Sequence, residues 1–315
     1  MADSAHARIP GDRPHQAAAI SNARVRIAGI DVDWLDEAGA VEHVMRAAAL
    51  GQGGWVATPN VDICRSASKD PVLHGLLARA SLVVSDGMPL LWAARLRGTP
   101  LPERVTGASL IFSLSAAAAR NSRSIYLLGG APGVPDLAGA ELSRRYRGLT
   151  VAGAHAPPVG FDATEEGVEA VRARLLAVAP DIVFVGLGFP KQERLIVRLA
   201  PSLPATWFVA CGAAIPFAAG VMPRAPLWMQ TTGTEWAFRL LTEPRRLFRR
   251  YLVDDLPFAV ALLATAAAER LRRRAVPSRL PTDLSAVPRR EQPLPDLHPD
   301  PGDSALVEDP LPPPA

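Results

Sequence analysis

Residues 184–196 constrain the fold more than any other part of this chain. An apolar, β-branched run at 182–185 ends at two glycines, and a proline, a polar triplet and a helix-like pattern follow. This order predicts a strand, a tight turn and the start of a helix. In parallel sheets such turns lie at the carboxyl ends of strands, where ligands bind. We therefore expect the triplet Lys191, Gln192 and Glu193 to face a ligand, although an ordinary solvated turn explains this segment alone equally well.

Strand-like and helix-like segments alternate from about residue 24 to residue 210. The expected strands are residues 25–30, 55–58, 82–85, 125–128, 150–154, 182–185 and 207–210. Helices with apolar residues every three or four positions are expected between them, for example at 38–50, 72–79, 110–120, 137–146 and 164–178. This alternation is typical of βαβ units, so the predicted fold class is α/β, with a mostly parallel sheet and helices on both faces.

The pattern changes after residue 210. Helices are expected at 234–241 and, beyond an interruption at Pro244, at 245–251. Residues 256–268 are apolar, but 13 residues fall short of the ~20 that cross a bilayer. Such a segment is a core helix, a helix that docks a partner, or one that lies in the plane of a membrane. From residue 276 onward proline is frequent and apolar periodicity is lost, which predicts disorder.

Composition narrows the function classes. With 315 residues and 49% hydrophobic content, the chain has ample material for a globular core. Its first 22 residues lack the pattern of a secretory signal, so we expect a cytosolic protein. Two cysteines outside any metal-ligand spacing and six scattered histidines indicate neither disulfides nor a metal, and no cofactor is expected.

Positive charge is concentrated near the C-terminus. Residues 224–274 contain ten arginines and five acidic residues. The aromatic residues of this region are Trp228, Trp236, Phe238, Phe248 and Tyr251. Arginine with amphipathic aromatics is typical of a surface that meets lipid headgroups and phosphates. A solvated charged face and a nucleic-acid surface are the alternatives, and the neighbouring apolar segment favours a membrane over nucleic acid.

Polar residues follow two further expected strands. Thr58 and Asn60 come after the second strand and Asp86 after the third, so with the turn at 186–193 three polar clusters meet at one sheet edge. Asp86 has the placement of a catalytic carboxylate, and its alternative role is to cap a helix that Pro89 would begin.

A glycine-rich turn at 129–133 follows the fourth expected strand, and its N–H groups could approach phosphates. No acidic residue about 20 positions on is placed to read a ribose. A nucleotide-phosphate binder is therefore favoured over a hydride-transfer enzyme.

Several motifs occur in an order that resembles the bacterial WecG/TagA/CpsF glycosyltransferases, over about residues 24–252. They are Thr58-Pro59-Asn60, Ser85-Asp86-Gly87-Met88-Pro89, Arg104-Val105-Thr106-Gly107, the segment 185–193, Arg224-Ala225-Pro226, Glu235-Trp236 and Glu243-Pro244-Arg245-Arg246-Leu247. Members transfer N-acetylmannosamine, its uronic acid or a related sugar from a nucleotide diphosphate donor to a polyprenyl-diphosphate-linked saccharide. They act at the cytoplasmic membrane face in the synthesis of teichoic acid, enterobacterial common antigen, capsule or exopolysaccharide.

The resemblance implies an inverting, metal-independent glycosyltransferase with a Rossmann-like core. The expected partners are a nucleotide sugar, with UDP the expected nucleotide, a polyprenyl-diphosphate-linked saccharide and the cytoplasmic membrane surface, but no nucleic acid. Whether the active form is a monomer or a homo-oligomer stays open. The implied organisation is a disordered segment at 1–22, a core at 23–222, a basic membrane-associating appendage at 223–274 and a disordered Pro-rich tail at 275–315.

The resemblance also assigns roles to individual residues. Asp86 is the expected general base, and Thr58 and Asn60 are expected beside the reacting sugar. The expected donor-binding residues are Thr106, Gly107, Gly129, Gly130, Gly186, Gly188, Lys191, Gln192 and Glu193. The arginines expected to hold the acceptor diphosphate are Arg224, Arg239, Arg246 and Arg249. Two other functions remain open: a non-catalytic nucleotide-binding scaffold at the membrane, and a nicotinamide-dependent oxidoreductase of polysaccharide precursors.

Overall fold

The computed structural model describes residues 23–275. Within this range the strands are β1 (Arg24–Ile27), β2 (Ile30–Asp33), β3 (Gly54–Ala57), β4 (Leu82–Val83), β5 (Ser124–Gly129), β6 (Thr150–His155), β7 (Ile182–Gly186) and β8 (Trp207–Ala210). The helices are α1 (Glu37–Ala49), α2 (Val61–Lys69), α3 (Pro71–Ala78), α4 (Met88–Arg97), α5 (Gly107–Arg120), α6 (Val134–Arg145), α7 (Glu165–Val178), α8 (Lys191–Leu199), α9 (Ala214–Ala218), α10 (Leu227–Thr232), α11 (Glu235–Thr242), α12 (Pro244–Phe248) and α13 (Leu256–Ala275). A π-helical turn at Arg249–Asp255 joins the last two. The termini expected to be disordered, 1–22 and 276–315, lie outside the described residues.

Strands β3 to β8 form one parallel sheet in the order β4-β3-β8-β7-β5-β6. Its side chains alternate between two hydrophobic cores. Ile182 and Phe184 enter one core together with α1, α5, α6 and α9. Val183 and Val185 enter the other, together with α2, α3, α4, α7 and α8. Because both faces are covered, the central strands are continuously apolar, and the predicted α/β class with helices on both faces is confirmed.

The first expected strand, 25–30, is wrong, because the chain reverses within it. Strands β1 and β2 pair antiparallel and stand apart from the main sheet. Ala28 (φ 51°) and Gly29 (φ 82°) are both left-handed, the conformation that a two-residue hairpin turn requires. The hairpin lies at the β4 edge, where the carboxylate of Asp33 accepts a hydrogen bond from the N–H of Val83 (2.8 Å).

The C-terminal helix is longer than the expected 256–268. Helix α13 spans 20 residues. One of its faces packs on α4 and the core through residues such as Ala266, and an ion pair joins Arg97 to Glu269 (2.8 Å). On the other face, Leu256, Val260 and Leu271 are more than half exposed. In the described part of the chain, the helical stretch Arg249–Arg272 is long and apolar enough to cross a membrane by length and composition, a test that core helices of soluble proteins also pass.

Residues 23–275 belong to one compact unit. The expected interruption at Pro244 is present, because this residue opens α12. The boundary at 222–223 between a core and an appendage stays a prediction, and the name "appendage" below refers to residues 223–274.

Candidate active site

The loops that follow β3, β4 and β8 are tied together at the carboxyl edge of the sheet. The N–H of Asp86 donates to the carbonyl of Pro59 (3.0 Å). The Thr58 hydroxyl, in a side chain only 7% exposed, donates to the carbonyl of Ala210 (2.8 Å). Because β3 pairs with both β4 and β8, these bonds join the ends of three adjacent strands. Thr58 and Asp86 therefore lie at the same edge of the sheet, as the sequence predicts for parallel strands.

Asp86 does not cap the helix that follows it. The N-cap of α4 is Gly87, and no side chain accepts a hydrogen bond there, so the capping interpretation of Asp86 is wrong. The N-cap role near this edge belongs to Asn60, which opens α2 by accepting a hydrogen bond from the N–H of Ile63 (3.1 Å). Among the side chains and backbone groups that the structure describes, the partly buried Asp86 carboxylate has no hydrogen-bond or ion-pair partner. Both of its oxygens are therefore available to a ligand.

The surroundings of Asp86 raise its pKa to about 6. Desolvation by burial is the main cause; Arg104 opposes it, Glu235 adds to it, and Arg239 and Arg224 oppose it. A carboxyl with a pKa near 6 is mostly ionised at pH 7 and is a stronger base than an ordinary aspartate. This combination suits general-base catalysis near neutral pH.

Glu235 joins two of these arginines. One of its oxygens lies 3.1 Å from Nη2 of Arg104, and the other lies 3.7 Å from Nε of Arg224. Arg104 also donates to the carbonyl of Gln230 (3.1 Å), and Arg224 donates to that of Ala108 (3.2 Å). These bonds dock α10 and α11 over the loops beside Asp86. Sequence reasoning did not assign Arg104 or Glu235 to the site, although both stand in the motifs that carry the family resemblance.

The backbone of Gly233, in the appendage, lies against the side chain of Met88, just after the Asp86 loop. Gly233 has a φ of 77°, and a Cβ added to it would lie 2.1 Å from Cγ of Met88. Met88 is the first residue of α4, two positions after Asp86. Only glycine fits there without a shift, so the turn between α10 and α11 lies directly on the Asp86 loop.

The glycines expected to bind the donor line a second part of the edge. A Cβ on Gly129 would lie 2.5 Å from the carbonyl oxygen of Gly186, and one on Gly186 would lie 2.9 Å from that of Gly212. A Cβ on Gly107 would lie 2.7 Å from Cα of Cys211. The turns after β5, β7 and β8 and the start of α5 therefore pack backbone against backbone, and a side chain at these positions would force them apart. These turns, with Gly107, Gly129, Gly186 and Gly212, are called the glycine surface below.

Thr106 and Gly130, which are also predicted to bind the sugar donor, lie in the turns beside these glycines. Thr106 caps α5 by accepting from the N–H of Ser109 (2.9 Å). Gly130 has a φ of 92°, and the nearest atoms to a Cβ placed on it belong to Val134, at 3.6 Å. Both residues therefore shape the turns that border the glycine surface.

Gln192 shapes the glycine turns through its buried amide. Its Oε1 accepts from the N–H groups of Gly188 (3.2 Å) and Gly212 (3.1 Å), and its Nε2 donates to Glu193 (2.9 Å). Burial raises the pKa of Glu193 to about 7, against the lowering effect of the Gln192 hydrogen bond. Gln192 thus joins the loops after β7 and β8, and its contribution to a donor pocket is to hold their shape.

Lys191 does not join this group. Its ammonium lies 3.0 Å from a carboxylate oxygen of Asp162, in the loop after β6. A surface cavity at this point is lined by Leu76, Asp162, Lys191, Arg194, Leu195, Val197 and Arg198, and it contains none of the Asp86 cluster.

The expected acceptor arginines divide into groups. Arg224 and Arg239 belong to the charges around Asp86, and the guanidinium of Arg239 also lies 5.9 Å from the ring centroid of Phe217. Arg249 is exposed in the π-helical turn. The side chain of Arg246 lies outside the described part of the structure. Within residues 23–275, no group of three His, Cys, Asp or Glu side chains is placed to hold a metal ion.

Comparison with known proteins identifies a family and relatives that this chain is similar to. The model of the glycosyl transferase WecG/TagA/CpsF family matches residues 25–274, which include every candidate site residue. The N-acetylglucosaminyldiphosphoundecaprenol N-acetyl-β-D-mannosaminyltransferase of Staphylococcus aureus is 29% identical over 243 residues, 76% of this chain and 93% of the relative. The protein of the same name from Bacillus spizizenii is 28% identical over 218 residues, 69% of this chain and 82% of the relative.

Proposed function

This chain belongs to the WecG/TagA/CpsF family of glycosyltransferases, and we propose that it moves an N-acetylmannosamine-type sugar from a nucleotide diphosphate to a polyprenyl-diphosphate-linked saccharide. The names of its relatives support this choice, since they specify an N-acetylglucosaminyl-diphospho-undecaprenol acceptor and a β-D-mannosaminyl product. The reaction belongs to the synthesis of a cell-surface polysaccharide.

The observation that carries the proposal is the unpaired Asp86 carboxylate, with its pKa of about 6, at the carboxyl end of β4. In the proposed reaction this carboxylate takes the proton of the acceptor hydroxyl as the hydroxyl oxygen attacks the anomeric carbon. The bond between that carbon and the diphosphate oxygen breaks, and the electron pair leaves with the nucleoside diphosphate. A single displacement of this kind inverts the anomeric configuration.

Thr58 and Asn60 supply polar atoms beside the base. The Thr58 hydroxyl donates its hydrogen bond to the carbonyl of Ala210, so toward a ligand it can only accept hydrogen bonds. Asn60 uses its amide oxygen to cap α2, so its NH₂ group can donate. One acceptor and one donor next to Asp86 suit recognition of sugar hydroxyl and N-acetyl groups.

The donor diphosphate is assigned to the glycine surface at the ends of β5 and β7 and to the N-terminus of α5. Backbone N–H groups at these positions can stabilise the negative charge that develops on the leaving group. The acceptor diphosphate is assigned to Arg224 and Arg239, which lie near Asp86, and to Arg246 and Arg249 further along the appendage. Guanidinium groups suit this task because they bind phosphate oxygens in pairs.

Membrane association is assigned to the outer face of α13. Its inner face is occupied by α4 and the core, which favours a helix lying on the membrane surface over one surrounded by lipid. The outer face carries Leu256, Val260 and Leu271, each more than half exposed. We place this contact at the cytoplasmic face of the membrane, where a lipid-linked acceptor and a soluble nucleotide sugar meet.

The test is product analysis after the protein is incubated with a panel of nucleotide sugars and a polyprenyl-diphosphate-linked N-acetylglucosamine. The proposal expects the lipid product to gain one sugar residue as the nucleoside diphosphate is released. A non-catalytic scaffold would bind a nucleotide sugar and leave it unconsumed, and an oxidoreductase would reduce or oxidise a nicotinamide cofactor. Either result would refute the proposal.

A further inference from the structure

Glu235 stands between two arginines beside the catalytic carboxylate. We propose that Glu235 is a positioning residue that holds Arg104 and Arg224 away from Asp86, so that Asp86 remains an unpaired base. The inference rests on the proposed function, because it gives Asp86 the role of base.

The contacts of Glu235 account for both of its oxygens. Oε2 lies 3.1 Å from Nη2 of Arg104, and Oε1 lies 3.7 Å from Nε of Arg224. The side chains of Glu235, Arg104 and Arg224 are 13%, 16% and 22% exposed, so solvent screens these pairs only in part. Asp86 faces the same two arginines and forms an ion pair with neither. Glu235 is therefore the acidic neighbour of both arginines: it accepts a hydrogen bond from Arg104 and lies within ion-pair distance of Arg224, whose Nε makes no hydrogen bond to a described group.

The charged groups around Asp86 determine what the loss of Glu235 would do. The groups that face Asp86 are Arg104, Arg224, Arg239 and Glu235. Glu235 is the one acid among these four groups, and it lies beside Arg104 and Arg224, whereas Arg239 has Glu243 at 3.9 Å. Without it, Arg104 and Arg224 would keep their bonds to the carbonyls of Gln230 and Ala108, and Asp86 would be the one carboxylate left in this group of charges. An aspartate paired with arginine holds its proton less tightly and is a weaker base.

A purely structural role would also explain these pairs, since they dock α11 on the loop that carries Arg104. The chain offers a matched control for that role. Arg97 and Glu269 form a 2.8 Å ion pair that docks α13 on α4, with the arginine as exposed as Arg224 (22%) and the glutamate more exposed than Glu235 (37% against 13%). Glu269 is not among the charges that act on Asp86. If Glu235 only docked α11, its loss would affect the pKa of Asp86 no more than the loss of Glu269 does. If Glu235 positions the arginines, only its own loss changes the pKa of Asp86.

The experiment compares the pH dependence of kcat/KM for the wild type, Glu235→Gln and Glu269→Gln, with a detergent-solubilised lipid-diphosphate acceptor. For Glu235→Gln the acid limb is expected to move to lower pH by roughly one unit, because Asp86 becomes paired. Turnover at pH 7.5 is expected to fall about tenfold, because the base is weaker and the arginines are misplaced. Glu269→Gln is expected to keep the wild-type acid limb. An unchanged acid limb in a folded Glu235→Gln protein would overturn the proposal.

Two further measurements keep the result decisive. Titration of the Asp86 carboxyl by ¹³C NMR, assigned with Asp86→Asn, reads the same shift without any turnover. If the wild type transfers no sugar, the proposed function fails, and this titration still judges the role of Glu235. If Glu235→Gln does not fold, Glu235→Asp replaces it. Its side chain is one methylene shorter, which lengthens both pairs, so a smaller shift in the same direction is expected and none would refute the proposal.

Discussion

Replacing Asp86 by asparagine should change activity and stability in opposite directions. Asparagine has nearly the same shape but cannot take a proton from the acceptor hydroxyl. No described group forms a hydrogen bond or an ion pair with the Asp86 carboxylate, so the substitution removes no partner among these groups. A structural aspartate would behave differently, since its loss would lower stability and activity together.

The size of the stability change follows from the pKa of Asp86. The folded-state pKa of about 6 exceeds the ordinary value of 3.8. Because the folded-state pKa is the higher one, the contribution of this carboxyl to the free energy of unfolding is largest below pH 3.8, where the carboxyl is neutral in both states. This contribution is lost as the pH rises through 6 and the carboxyl ionises in the folded protein. Two pKa units at 1.36 kcal/mol each give an upper limit of about 3 kcal/mol for the cost of ionisation at neutral pH. Partial exposure and the buried amide of asparagine reduce the expected gain to about 1 kcal/mol.

The activity change should be much larger. Loss of a general base lowers turnover by roughly 10²- to 10⁴-fold. The assays are kcat with the lipid-diphosphate acceptor, equilibrium binding of the nucleotide sugar, and thermal unfolding at pH 7.5 and pH 4. We expect unchanged donor binding and a Tm higher by about 2 °C at pH 7.5, a gain that disappears at pH 4. Near-normal turnover would remove Asp86 from its role, and a lower Tm at pH 7.5 would refute the electrostatic reasoning.

Three further outcomes are expected. In the wild type, kcat/KM should fall as pH drops through about 6, because protonated Asp86 cannot accept a proton; a flat profile from pH 5 to 7 would contradict this. Gly233→Ala should lower both Tm and turnover, whereas Gly98→Ala, also left-handed but with open space around it, should cost only about 1 kcal/mol in urea unfolding. Val260→Glu should weaken co-sedimentation with anionic vesicles, and Val72→Glu on α3, where the valine is 67% exposed against 57% for Val260, should not; equal losses would exclude α13 as the membrane contact.

The sheet and its edge could be predicted because their signals are local. Apolar runs such as 182–185 end at glycine or polar turns, and parallel strands place those turns together whatever their order in the sheet. This reasoning predicts that Thr58 and Asp86 lie at one edge of the sheet, where the structure has them. It failed at residues 25–30, because Ala28 adopts a left-handed conformation that alanine rarely shows, so Gly29 was the only residue type in the turn that indicated it.

Side-chain partners over long separations could not be predicted in this way. Glu235 meets Arg104 across 131 positions, and Lys191 at the start of α8 meets Asp162 in the loop after β6. Both pairs depend on how the appendage and the loops dock, which periodicity does not encode. The length of α13 was underestimated for a related reason, because its charged last turns lack the apolar pattern that marked residues 256–268.

The anomeric configuration of the transferred sugar tests the central claim most directly. A carboxylate that acts as a base on the acceptor hydroxyl permits a single displacement, whereas one that attacks the sugar itself gives two displacements. NMR of the donor and of the isolated lipid product gives the configuration of each. We expect the product to have the configuration opposite to that of the donor. Retention of the donor configuration would contradict the account, because Asp86 could not then act only as a base.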